Sequence, residues 1–157
     1  MSAIQLLSHN PEETMALAGR FAKNLKAGDI ICLKGELGAG KTTFTKGLAQ
    51  ALRVNAADVN SPTFILMNYY DGKLPVYHFD FYRLNQTDEL STVDLDEYFY
   101  GQGVCVIEWP ERLKKFAPQE YFEVCLEHKL EQQRMIKFLA IGKEYKDRLR
   151  KMMVSIQ

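Results

Sequence analysis

Residues 35–42 read G-E-L-G-A-G-K-T and meet the spacing G-x-x-x-x-G-K-[S/T] at every fixed position: Gly35, Gly40, Lys41 and Thr42. These residue types suit an anion. Glycines at 35, 38 and 40, with the small Ala39 between, let successive backbone N–H groups turn inward as a nest, and a helix starting there adds the positive end of its dipole. Lys41 supplies a compact cation for β- and γ-phosphates. The Thr42 hydroxyl suits Mg²⁺, a hard cation that takes few protein oxygens when a triphosphate shares it. Thr43 adds a phosphate contact. The expectation is a site for a nucleoside triphosphate with magnesium.

Such a site needs carboxylates to hold the metal and to orient an attacking water. Asp80 closes the apolar run V-Y-H-F-D and Glu108 closes V-C-V-I-E. Strand ends of an open α/β sheet are where ligands bind. Which carboxylate serves the metal and which the water is open at this level. Tyr82, Arg83 and Trp109 lie close by in sequence. For Arg83 a phosphate contact and a surface ion pair are equal readings. Trp109 is a candidate partner contact or a core residue, and His78, alternating with apolar neighbours, reads as structural. In N-S-P-T-F, residues 60–64, Pro62 holds Ser61 extended. The Ser61 and Thr63 hydroxyls suit either a γ-phosphate-sensing switch loop or a capped turn.

The elements that would position these groups follow from periodicity. Asn10 as cap, Pro11 at the first helical position and a stripe through Met15, Leu17, Ala18, Phe21, Ala22 and Leu25 predict a helix from Pro11 to about Lys26. The β-rich D-I-I-C-L precedes the glycine loop, and a second helical stripe through Phe44, Leu48, Ala51 and Leu52 follows it. Further strands are expected in T-F-I-L-M-N-Y-Y, L-P-V-Y-H-F-D-F, G-V-C-V-I-E-W, Y-F-E-V-C-L-E-H and R-M-I-K-F-L-A-I-G. D-G-K at 71–73 reads as a hairpin turn between the first two of these. Residues 87–99 read as one helix capped by Thr87, and 143–157 as a polar closing helix. The expected fold is one α/β domain over residues 1–157: a three-layer P-loop domain with a mixed, mostly parallel sheet, one antiparallel hairpin and helices on both faces.

Composition narrows the partners. The 157 residues carry 20 Lys+Arg against 20 Asp+Glu, so no net field draws the chain to nucleic acid or an anionic membrane. No apolar run is long enough to span a bilayer, and the N-terminus lacks the pattern of a secretory signal. Cys32, Cys105 and Cys125 sit in strand-like runs without C-x-x-C spacing and read as reduced thiols of a cytosolic protein. Neither N-K-x-D nor a D-x-x-G switch occurs, which favours ATP over GTP. No arginine-rich lid follows the motif, which disfavours a small-molecule kinase without excluding one. A nucleotide-binding adaptor without turnover is the third reading.

The ordered motifs G-E-L-G-A-G-K-T-T-F-T-K-G-L, S-P-T-F, Y-H-F-D-F-Y-R-L, D-E-L…L-D-E-Y-F and G-V-C-V-I-E-W-P-E-R resemble the bacterial TsaE (YjeE) family over about residues 4–142. The resemblance implies a single-domain ATPase, weak alone, that binds ATP and Mg²⁺ and serves threonylcarbamoyladenosine modification of tRNA at position 37. It implies association with TsaB-like and TsaD-like partners of a transferase complex, which hydrolysis would reset, with tRNA touched only indirectly. It further implies phosphate contacts from Gly38 to Thr43, Lys41, Asp80 and Glu108 as the acting residues, and Thr42, Asp80 and Glu108 near the metal. S-P-T would be the switch loop, with Trp109 on the rim and Thr14 and Arg134 near base or phosphates. One departure from the family pattern is Asp94, where glycine is more usual.

Overall fold

The computed structural model describes residues 3–60 and 66–157. The chain order is β1 (Ile4–Ser8), α1 (Pro11–Ala22), β2 (Ile30–Lys34), α2 (Lys41–Ala51), β3 (Met67–Tyr70), β4 (Val76–Asp80), α3 (Leu95–Phe99), β5 (Val104–Glu108), β6 (Tyr121–His128), β7 (Arg134–Ile141) and α4 (Lys143–Ile156). The strands form one sheet in the order β1-β7-β6-β2-β5-β4-β3. The α/β class and mixed sheet are as expected. The weighting differs. The central strands β6, β2, β5 and β4 are mutually parallel, while β1–β7, β6–β7 and β3–β4 are antiparallel. There are thus two hairpins rather than one, and β1, unanticipated in I-Q-L-L-S, adds an antiparallel edge. The second hairpin arises because only a short turn separates β6 from β7, too short for the crossover that parallel pairing needs.

Burial is uneven between the two faces. Helices α1, α2 and α4 all cover one of them, through Leu17, Phe21, Phe44, Leu48, Tyr145, Leu149, Met152 and Ile156. At its centre Phe21 lies 5.1 Å from Phe138 and 5.4 Å from Phe122, ring centroid to centroid. Full burial of such side chains contributes about 1.5–3 kcal/mol each. The other face is covered by short pieces: Leu90, Leu95, Phe99 and Leu113 pack on Phe79, Phe81, Cys105 and Ile107.

Two boundaries differ from expectation for local reasons. Helix α1 stops at Ala22 rather than Lys26 because the Asn24 side chain donates to the carbonyls of Arg20 and Phe21, which ends the ladder. Residues 87–99 are not one helix. A 3-10 turn at Thr87–Leu90 is followed by the short α3, whose cap is Asp94 accepting from the Glu97 N–H at 3.3 Å. Asp94 sits at φ −86°, so this position does not demand glycine. The closing helix α4 is anchored by a buried ion pair: Arg148 donates to both oxygens of Asp29 at 2.6 Å and to the Asn24 carbonyl at 3.0 Å.

Candidate functional site

Strand β2 is the switch point of the sheet, with β5 on one side and β6 on the other, both parallel to it. A crevice opens beyond the carboxyl ends of strands at such a point, and the glycine loop lies there. Gly38 at φ +80° and Gly40 at φ +103° hold the left-handed backbone that the turn requires. Gly40 is the cap of α2 and provides no side-chain acceptor, and the first turn of α2 carries no acidic residue. Its dipole end is therefore unneutralised by the chain's own carboxylates within that turn.

A cavity of about 520 Å³ is lined by Leu37, Gly38, Gly40, Lys41, Thr42, Thr43, Asp80, Tyr82, Arg83, Glu108, Trp109 and Arg134. It collects most of the residues singled out in the sequence. Gly35 and Ala39 line an adjoining cavity of about 390 Å³ with Leu126 and Trp109. Thr14 is not brought to either. It is buried in α1, its hydroxyl 2.7 Å from the Ser8 hydroxyl, because β1 and α1 pack tightly there. The S-P-T loop expected as a switch lies outside the described residues.

Lys41 is 6 % exposed. Its ammonium donates to the Gly35 carbonyl at 2.5 Å and rests 3.9 Å from the centroid of the Trp109 ring. Burial pulls its pKa below the ordinary lysine value, opposed by the nearby Glu108 and Asp80 charges. Trp109 packs in turn against Tyr82, the two rings tilted at 46° with centroids 5.0 Å apart. It takes a left-handed backbone, φ 60° and ψ 51°, directly before Pro110, a conformation that is uncommon outside glycine.

The two carboxylates are register partners at the ends of β4 and β5. Asp80 is partly exposed, and its Oδ1 accepts the Tyr82 N–H at 2.9 Å. Burial raises its pKa, reinforced by Glu108 and opposed by the Tyr82 hydrogen bond. Glu108 is 3 % exposed and is held by His78, whose Nε2 lies 2.6 Å from Oε2. His78 is therefore more than the filler its apolar neighbours suggested. The available signal was its place two residues before Asp80, which puts both on one face of β4. Arg134 crosses from β7 to donate to the loop carbonyls of Ala39 at 2.9 Å and Gly38 at 3.1 Å. It fixes the loop's backbone, a task invisible in sequence because the partners are carbonyls of a distant segment.

Among the described residues no three His, Cys, Asp or Glu side chains are placed to hold a metal ion. The oxygen set that lines the cavity, Thr42, Asp80 and Glu108, instead fits a small hard cation that shares its coordination with phosphate and water.

Fold and site together define a class: a single α/β domain with a glycine-rich loop at the carboxyl edge of its central parallel strands. Comparison with known proteins narrows it. Residues 8–136 match the family model described as threonylcarbamoyl adenosine biosynthesis protein TsaE. The chain is 46% identical over 146 residues to the tRNA threonylcarbamoyladenosine biosynthesis protein TsaE of Bacillus subtilis, covering 92% of this chain and 90% of that one. Its counterpart in Treponema pallidum is 38% identical over 116 residues, 74% of this chain and 85% of the relative. The crystal structure of Bacillus subtilis YdiB superposes with a TM-score of 0.82 at 37% identity, covering 99% of this chain and 97% of the other. The chain belongs to the TsaE family.

Proposed function

We propose that this chain is a magnesium-dependent ATPase serving tRNA threonylcarbamoyladenosine biosynthesis, acting on a partner transferase complex. The family places it in that biosynthesis. What supports the nucleotide reading is one observation: Lys41, Thr42, Thr43, Asp80 and Glu108 line a single cavity over the N-terminus of α2, whose cap Gly40 provides no side-chain acceptor. In this reading the amides of residues 38–43 surround the phosphates. Lys41 leaves the Gly35 carbonyl and Trp109 to reach the terminal phosphates, recovering in the anion's field the charge that burial disfavours. Thr42 and Asp80 would hold Mg²⁺, with Glu108 beside them, and the ion would neutralise charge on the phosphates during transfer. Arg134 keeps the loop carbonyls turned away from the anion, so that amides face it.

A carboxylate buried as deeply as Glu108 and held in one orientation suits the positioning of a water. The more accessible Asp80 suits a metal shared with solvent. No arginine-rich lid follows the glycine loop in the sequence, which favours water over a metabolite as the acceptor. The partners in this reading are TsaB-like and TsaD-like proteins, with tRNA held by them rather than by a chain of zero net charge. The task is to reset the complex between turnovers, in the cytoplasm. Among the described residues no helix is long and apolar enough to cross a membrane.

The test is phosphate release from Mg·ATP by the chain alone and with both partners. The expected result is slow turnover alone and marked stimulation in the complex. Equal, fast hydrolysis without partners rejects partner dependence. Stoichiometric phosphorylation of a metabolite rejects the hydrolytic reading in favour of a kinase. Tight ATP binding with no turnover under any combination rejects it in favour of an adaptor.

A further inference from the structure

Behind Glu108 runs a chain of polar groups that the proposed reaction does not by itself require. His78 is wholly buried and bridges two partners: its Nε2 lies 2.6 Å from Glu108 Oε2 and its Nδ1 lies 3.1 Å from the Tyr70 hydroxyl. The Tyr70 hydroxyl donates to the Asn60 carbonyl at 2.9 Å, and its oxygen accepts the Asn60 N–H at 3.2 Å. Asn68 donates to that same carbonyl at 2.9 Å. His78 thus links the Glu108 carboxylate to the Tyr70 hydroxyl, and Tyr70 links on to the Asn60 backbone through both its N–H and its carbonyl. Among the described residues no buried side-chain polar atom lacks a partner.

Register explains how these groups meet. His78 is the cross-strand partner of Asn68 on β3 and of Val106 on β5, two residues short of the Asp80–Glu108 pair. Period-2 alternation therefore places His78 on the same face as both carboxylates. Asn60 opens the N-S-P-T-F stretch, far from Glu108 in sequence. An apolar residue at 78 would pack as well in such a core and would cost no polar desolvation. A buried imidazole with both nitrogens engaged is instead what orients a carboxylate, as outer-shell partners do.

We infer that His78 and Tyr70 are positioning residues that fix the orientation of Glu108 and couple it to the backbone of Asn60, so that a change at either end is felt at the other. This rests on the hydrolytic reading only for its effect on turnover; the coupling itself is a property of the chain without nucleotide.

The coupling is tested first, by NMR of the full chain without nucleotide. Glu108→Gln is introduced at one end and the Asn60 backbone amide is observed at the other. A resolved shift of that amide is expected, and it should vanish when Glu108→Gln is made in a Tyr70→Phe background. No shift, or an undiminished shift in that background, overturns the inference whether or not the protein hydrolyses ATP. Turnover is tested second, with partners present. Tyr70→Phe and His78→Phe should each lower kcat about tenfold, the lower end of the loss expected for outer-shell partners, with nucleotide affinity nearly unchanged. His78→Gln, which retains a donor toward Glu108, should recover part of the loss. A parallel fall of kcat, affinity and thermal midpoint marks a merely structural role and refutes the positioning role. If the unsubstituted chain shows no turnover, the hydrolytic reading fails while the amide test still decides the coupling.

Discussion

Replacing Gly47 in the middle of α2 by alanine sets two effects of opposite sign against each other. Alanine is a better helix former than glycine by about 1 kcal/mol. A Cβ at residue 47, however, would stand 2.4 Å from the Met15 carbonyl oxygen, 2.6 Å from its Cα and 2.8 Å from its carbonyl carbon. All three are backbone atoms of α1, so no side chain can swing aside. Reaching ordinary carbon contact requires the helices to part by about 1 Å. Overpacking of this kind costs about 1–3 kcal/mol, and backbone against backbone points to the upper end. The expected net loss is about 2 kcal/mol, a fall of roughly 4–8 °C in Tm for a chain of this size. Gly19→Ala on α1 is the internal control. There a Cβ meets nothing nearer than 3.8 Å, so the propensity gain of about 1 kcal/mol stands and Tm should rise by roughly 2–4 °C. Urea unfolding of the three proteins, read as midpoints at a common slope, measures both. Because α2 begins at Lys41, Gly47→Ala should also weaken nucleotide binding while Gly19→Ala does not. A Gly47→Ala protein as stable as its parent refutes the reasoning.

Other consequences can be measured directly. Trp109 is the single tryptophan and Lys41 rests on its ring, so adding Mg·ATP should change the emission; an unchanged spectrum at saturation, with binding verified by calorimetry, rules out the proposed movement of Lys41. Lys41→Met should weaken nucleotide binding by about 10–100-fold, from the loss of a charge-assisted contact worth about 1.5–3 kcal/mol. Arg148→Met strands the buried Asp29 carboxylate and should destabilise by about 3 kcal/mol, the low end for breaking a buried pair because Arg148 is 17% exposed; adding Asp29→Asn should recover part of it, and strict additivity in urea unfolding disproves the pairing. For pH, Lys41 has a lowered pKa and Asp80 a raised one. Binding needs the ammonium and the carboxylate. Affinity should therefore decline with rising pH sooner than an ordinary lysine would allow, and with falling pH sooner than an ordinary aspartate would. Asp80→Asn should abolish the acid limb in calorimetric titrations.

The glycine loop was legible because its chemistry is local: eight consecutive residues carry the spacing, and the apolar run and helical stripe beside them need no distant partner. Asp80 and Glu108 were legible as strand ends, and β4–β5 pairing alone decided that they are neighbours. What was not legible depends on long-range register or on backbone partners. His78 acquires its role from Glu108 and Tyr70, neither of which marks it in sequence. Arg134 acts on carbonyls, which have no residue identity. Thr14, singled out by resemblance, is turned to Ser8 by the β1–α1 packing. The second hairpin was not legible because the alternation of V-C-L and I-K-F-L fits either direction, with only the short turn between β6 and β7 to mark it.

The pairing of β1 with β7 has a consequence for how the chain is made. Ser8 and Ile4 find their partners at Arg134 and Phe138, near the other end of the chain. Strand β2, which carries the glycine loop, likewise waits for both neighbours, β5 and β6. At roughly 5–20 residues per second of synthesis the N-terminal strand stays unpaired on the order of ten seconds. Helix α1 and helix α2 can meet during that interval, but the sheet cannot close until β7 has left the ribosome. Truncation before Arg134 removes β7 and should thus leave β1 with no strand to pair with and β6 as an open edge. Sheet closure in this protein is in that sense timed by the appearance of β7.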